Sequence, residues 1–174
     1  QTCALSISES LHVDVELADS VRKVCEMIYL RHYADAKVLL DQLSGRYPHL
    51  GVGPAGIALI YQALMFENFD YRYEKQYEGA RDGALAQLKE GMQEPGNESL
   101  EAMFLTLVRG VDAIHSLRKG EFLPALDKAL SAMNALDSLK TLSPDLPDLK
   151  LADGLYLYWR SVITRANQIG RAHV

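Results

Sequence analysis

An aromatic residue, two positions, an alanine, three more positions and a small or aliphatic residue make a motif that this chain writes three times. The copies are Tyr33-x-x-Ala36-x-x-x-Leu40, Tyr77-x-x-Ala80-x-x-x-Ala84 and Phe122-x-x-Ala125-x-x-x-Ala129, and their starts lie 44 and 45 residues apart. A unit repeated at near-constant spacing buries its apolar face against its neighbours, not within itself. This constraint favours an extended binding scaffold over an enzyme built round one pocket.

The periodicity between the copies is helical almost throughout. Leu17, Val21, Val24, Cys25 and Ile28 fall on one face of a first helix, and Ala36, Leu39, Leu40, Leu43 and Tyr47 on one face of a second. Pro54 suits the first turn of a third helix carrying Ile57, Ile60, Tyr61, Leu64 and Met65. A fourth starts near Arg72 with Leu88 and Met92 on its apolar side, and Pro95-Gly96-Asn97 ends it. Asn97 or Ser99 can cap a fifth helix carrying Leu100, Met103, Phe104, Leu107, Val111 and Ile114, and Gly120 turns the chain into a sixth. The expected fold is all-α, with about seven helices stacked as antiparallel pairs over 18–48, 54–93 and 98–141 and an unpaired helix over 148–167. Leu11 to Leu17 alternates with the period of a strand, so residues 1–17 are expected as an extended or irregular lead-in.

Charge and composition narrow the partner. A net charge of -5, with Lys and Arg scattered, argues against a nucleic-acid binder, which needs a basic stripe. No apolar run approaches the roughly 20 residues that cross a bilayer. Cys3 and Cys25 have no zinc spacing; Cys25 is expected as a buried thiol, with a Cys3–Cys25 disulfide as the other reading.

Motifs that imitate catalysis fail on context. Gly51-x-Gly53-x-x-Gly56 has the form of a dinucleotide fingerprint, but it follows an amphipathic helix instead of a strand, and Pro54 removes an amide donor. It reads as a turn between helices. His12, His32, His49 and His115 lack the spacing of a helical zinc site, and His115 reads as a satisfied, half-buried side chain. Asp70 with Glu74 and Asp35 with Asp41 read as solvated carboxylates, not as an acid–base pair. No catalytic, cofactor-binding or metal-ligating residue is assigned, and the chain is not expected to be an enzyme.

The repeated motif has a physical rationale in helix packing. The alanines Ala36, Ala80 and Ala125 let helices approach, and the aromatics Tyr33, Tyr77 and Phe122 fill the wedge between units. The Gly120-Glu121-Phe122-x-x-Ala125 turn resembles the opening of the second helix in tetratricopeptide repeats. The spacing here exceeds the period of about 34 residues in that family, and the middle copy has Lys75-Gln76 in place of a glycine. Residues 153–161, Asp-Gly-Leu-Tyr-Leu-Tyr-Trp-Arg-Ser, resemble a helix in a group of uncharacterised bacterial tetratricopeptide-like proteins, often exported. The resemblance implies a stacked helical-repeat fold, a bacterial source and a protein or peptide partner, with export to the periplasm or envelope as one possible location. Within that helix, Tyr156, Trp159 and Arg160 are candidates for a binding groove, and Gly154 and Tyr158 for close helix packing.

Two further expectations complete the reading. Ile169 to Val174 back-translates as ATC GGA AGA GCA CAC GTC, which with a preceding CAG codon resembles a widely used sequencing-library adapter in frame. Residues 168–174 are therefore expected as an adapter-derived tail on a fragment of a longer repeat protein. The function expected is non-catalytic protein or peptide binding; the alternative is a small-ligand or enzymatic pocket around Tyr61, Tyr71, Tyr73 and Tyr77.

Overall fold

The structure is a computed structural model that describes residues 14–93, 95–147, 149–150, 152–154 and 157. It is all-helical, and the described residues contain no strand. The helices are α1 (Val15–Tyr29), α2 (Tyr33–Arg46), α3 (Val52–Asn68), α4 (Glu74–Gly91), α5 (Glu98–Arg118) and α6 (Phe122–Leu142). Helical backbone resumes at 149–150, 152–154 and 157.

The first helix begins before the expected lead-in ends. Asp14 Oδ1 accepts the Glu16 amide at 3.1 Å, and this cap turns Val15–Leu17 into regular helix in spite of their alternation. Leu17 is buried in the core, as its helical register requires. Asp14 Oδ2 also accepts from the Tyr47 hydroxyl at 3.0 Å, and Glu16 takes both guanidinium arms of Arg46. The start of α1 is thereby fastened to the end of α2. Residues 1–13, with Cys3 among them, lie outside the described residues. Cys25 is a free thiol and, contrary to expectation, is exposed; the apolar stripe of α1 passes through Leu17, Ala18 and Val24 instead.

Each helix packs on the next in sequence, and α3 touches α1 and α5 as well. α3 owes this central place to its composition. Gly53, Ala55, Gly56 and Ala58 leave its first turns thin enough for neighbours on several sides. A Cβ at Gly53 would stand 1.9 Å from Ser44 Oγ, and one at Gly56 would stand 2.3 Å from a Leu40 methyl. Gly53 and Gly56 are therefore the contact between α3 and α2 inside the first turns of α3, while Gly51 lies in the turn that caps the helix, against Leu88. The core continues through Leu40, Leu43, Leu88, Leu100, Phe104 and Val108.

A second anchor joins distant parts of the chain. The Glu101 carboxylate, wholly buried on α5, accepts the Gly51 amide at the head of α3 with its two oxygens at 3.1 and 3.3 Å. The carboxylate also sits where the helix dipole of α3 is positive. Gly91 makes room for it, since a Cβ there would be 2.8 Å from the Glu101 carboxyl carbon.

Candidate functional site: the edge formed by the turns within helix pairs

The turns from α1 to α2, α3 to α4 and α5 to α6 share one construction. Each places a single residue at positive φ: Arg31 at 65°, Phe69 at 50° and Gly120 at 78°. In each, the next amide reaches back five residues: His32 to the Met27 carbonyl at 2.8 Å, Asp70 to Met65 at 3.2 Å, Glu121 to Ser116 at 3.0 Å. This is the Schellman arrangement, which closes a helix by satisfying its last carbonyls. Only the third copy uses the glycine that this geometry favours. Phe69 holds a bulky side chain in a conformation that L-residues avoid.

Ion pairs stitch the turns together. Arg31 Nε lies 2.9 Å from Glu67 Oε1, and the Tyr33 hydroxyl donates to the same oxygen at 2.7 Å, linking the first turn to the end of α3. Lys119 at the end of α5 pairs with Glu74 at the start of α4 and lies 3.1 Å from Glu121. Hydrogen bonding from Lys119 holds both carboxyls below their ordinary range and raises the Lys119 ammonium.

Along this stitched edge stand large apolar side chains with little over them. Tyr29 is 86% exposed, Phe69 82%, Phe122 71% and Leu123 81%, and Leu30 and Phe66 are each about half exposed. Such side chains need no explanation singly at a surface; here several of them gather at the three turns.

Beneath the second and third turns lies a buried polar cluster. Asp112 on α5 receives Arg81 Nη1 at 2.9 Å and the Tyr77 hydroxyl at 3.2 Å, with Lys128 Nζ at 3.1 Å from its other oxygen. Burial first, then the Asp112 charge, raises the Tyr77 phenol. His115 is 2% exposed and lies between Tyr77, at 4.7 Å between ring centroids, and the edge of Tyr71, at 5.8 Å. Neither of its nitrogens has a hydrogen-bond partner among the described residues; Nε2 stops 3.6 Å from Glu74. Burial lowers the imidazole below its ordinary value, with the Glu74 carboxylate opposing in part. His115 is thus neither half-buried nor satisfied, which corrects the sequence expectation.

The three sequence motifs are not structurally equivalent. Tyr33 and Phe122 are the first residues of α2 and α6, whereas Tyr77 stands one turn inside α4. Tyr77 is accordingly 1% exposed and fills the wedge, with Ala80 packed partly beside it. Tyr33 is partly buried against the core, and Ala36 and Ala125 are buried as expected. Phe122 fills no wedge: its side chain leaves the packed face and joins the exposed edge. Gly154 meets nothing within 4 Å among the described residues. Tyr156, Tyr158, Trp159 and Arg160, the greater part of the 148–167 helix and the 168–174 tail lie outside the described residues.

Among the described residues no helix is long and apolar enough to cross a membrane, and no group of three metal-ligating side chains occurs. Comparison with family models, curated proteins and solved structures gives no match.

Proposed function

We propose that the chain is a non-catalytic helical-repeat scaffold of the tetratricopeptide-like kind, its pairs α1–α2, α3–α4 and α5–α6 stacked as an α-solenoid, and that it mediates protein–protein or peptide binding. The observation that carries this reading is the row of exposed Tyr29, Phe69, Phe122 and Leu123 at corresponding turns. Interfaces take their binding energy from a few large apolar and aromatic anchors. A solenoid presents such anchors at the repeat interval. The packing of α3 on both α1 and α5 supports the stacked arrangement.

The tyrosines offered for a small-ligand pocket are already engaged with one another and with the core. Tyr61 packs on Tyr73 at 5.9 Å, and the Tyr77 hydroxyl is spent on Asp112. Selection from a phage-displayed random peptide library against the full chain tests the scaffold reading. Peptides should be recovered whose binding falls about tenfold with Tyr29→Asp or Leu123→Asp, the loss of one hot-spot contact. Recovery of none, or of peptides indifferent to both substitutions, overturns it.

A further inference from the structure

Arg118 closes α5 beside the turn that holds Phe69 at positive φ. Its guanidinium lies 4.5 Å from the Phe66 ring centroid and 5.7 Å from that of Tyr71. Nη2 donates to the Met65 carbonyl at 3.4 Å, the same oxygen that accepts the Asp70 amide. Nη1 is buried and makes no hydrogen bond among the described residues. The other arginines at these turns have carboxylates: Arg31 has Glu67 and Arg72 has Asp70. Arg118 has none among the described residues. A guanidinium lying against two aromatic rings, partly exposed and with no carboxylate partner among the described residues, keeps its charge uncompensated and open to a carboxylate brought from outside the chain.

Phe69 supplies the second half of the observation. It stands at φ 50° where the third turn uses glycine, and it is 82% exposed, so its ring contributes almost nothing to the core. The fold therefore carries backbone strain at this residue without a packing return. Strain of that kind collects where a side chain is needed for contact with a partner. Phe66 and Tyr71, both partly open, flank the same spot.

From these facts we infer that Phe66, Phe69, Tyr71 and Arg118 form a receptor for a peptide segment in which a carboxylate side chain is followed by an aromatic or aliphatic residue, a specificity that rests on the scaffold reading above. The carboxylate meets the Arg118 guanidinium, and the apolar neighbour lies against Phe69. An acidic-apolar segment complements the site in charge and in surface; a basic or purely apolar one leaves Arg118 uncompensated.

The probes are the capped peptide acetyl-Gly-Leu-Glu-Phe-Leu-Gly-amide and its counterpart with Gln in place of Glu, titrated into the isotope-labelled chain and followed by NMR. The Glu peptide should shift the Phe69 and Tyr71 amides and the Arg118 Nε–H, and the Gln peptide should bind about tenfold more weakly, as loss of a charge-assisted pair implies. Arg118→Gln should abolish the difference between the two peptides. Phe69→Gly should leave the melting temperature unchanged or raise it, because glycine relieves the turn, while weakening the Glu peptide about tenfold. Equal binding of the two peptides, absence of shifts at these residues at millimolar peptide, or full binding by Phe69→Gly overturns the proposal. Should it fail while library peptides still depend on Tyr29 and Leu123, the scaffold reading stands and only this specificity falls.

Discussion

Glu101 on α5 and Gly51 at the head of α3 are joined through a carboxylate that the surrounding helices exclude from water. The bond spans 50 positions of sequence and ties α5 to the start of α3. Glu101→Ala should destabilise by about 3 kcal/mol, since it strands the buried Gly51 amide and opens a void. Glu101→Gln should cost less, because an amide oxygen can still accept. Urea unfolding of the two variants checks the order, and equal stability of wild type and Glu101→Ala would refute the anchoring role.

How much of this was written in the sequence depends on the range of the interaction. Helix order and the breaks at Pro95-Gly96 and Gly120 were legible because periodicity and turn residues act locally. The break between Met65 and Arg72 was legible too, but the geometry of its turn was hidden, because the left-handed position there carries a phenylalanine where the rules look for glycine. That hidden turn moved the middle motif by one helical turn and made Tyr77 a core residue while Phe122 became a surface one. Glu101 reads as a solvated charge in the first turn of α5, and only the approach of α3 and Gly91 reveals its burial. The Asp112 cluster joins α4, α5 and α6, and no spacing rule brings those three helices together.

Gly53 and Gly56 of α3 and Gly83 of α4 should respond to alanine in opposite directions. Gly56→Ala drives a methyl into Leu40 and Gly53→Ala into Ser44, with a Leu40 carbonyl 3.2 Å from the latter Cβ, so each should cost about 1–3 kcal/mol. Gly83 stands on an exposed face of α4 with nothing within 4 Å. Gly83→Ala should therefore stabilise by about 0.5–1 kcal/mol through helix propensity alone. Melting curves that moved in the same direction for Gly56→Ala and Gly83→Ala would contradict the packing described for α3.

Asp112 should be the most sensitive polar position beneath the edge. Asp112→Ala takes the carboxylate from Lys128 and leaves Arg81 with Asp82 alone, and a loss of about 3 kcal/mol is expected from breaking a buried pair. Tyr77→Phe deletes only one hydroxyl from the same carboxylate and should cost about 1 kcal/mol. Denaturant midpoints for the two variants give the comparison. A loss from Tyr77→Phe as large as that from Asp112→Ala would place the centre of the cluster at the phenol, not at the carboxylate.

His115 should make the fold sensitive to mild acid. In the folded chain burial holds its imidazole below the ordinary value of 6.5, and the nearby Glu74 carboxylate restores only part of the difference. The unfolded chain consequently takes up the proton at higher pH than the folded one. Stability is full while both states are neutral and declines as pH falls through the unfolded value. Glu74 and Glu121 act in the same direction but at lower pH: their folded carboxyls lie below 4.5, so their contribution persists until the solution reaches the carboxylate range. Between about pH 7 and 5 the slope should thus belong to the histidine. The urea midpoint is expected to fall from pH 7.5 to pH 5.5, and His115→Phe, which keeps a ring between Tyr71 and Tyr77, should flatten that dependence. A slope that survives in His115→Phe would assign the titration to another group and remove His115 from this role.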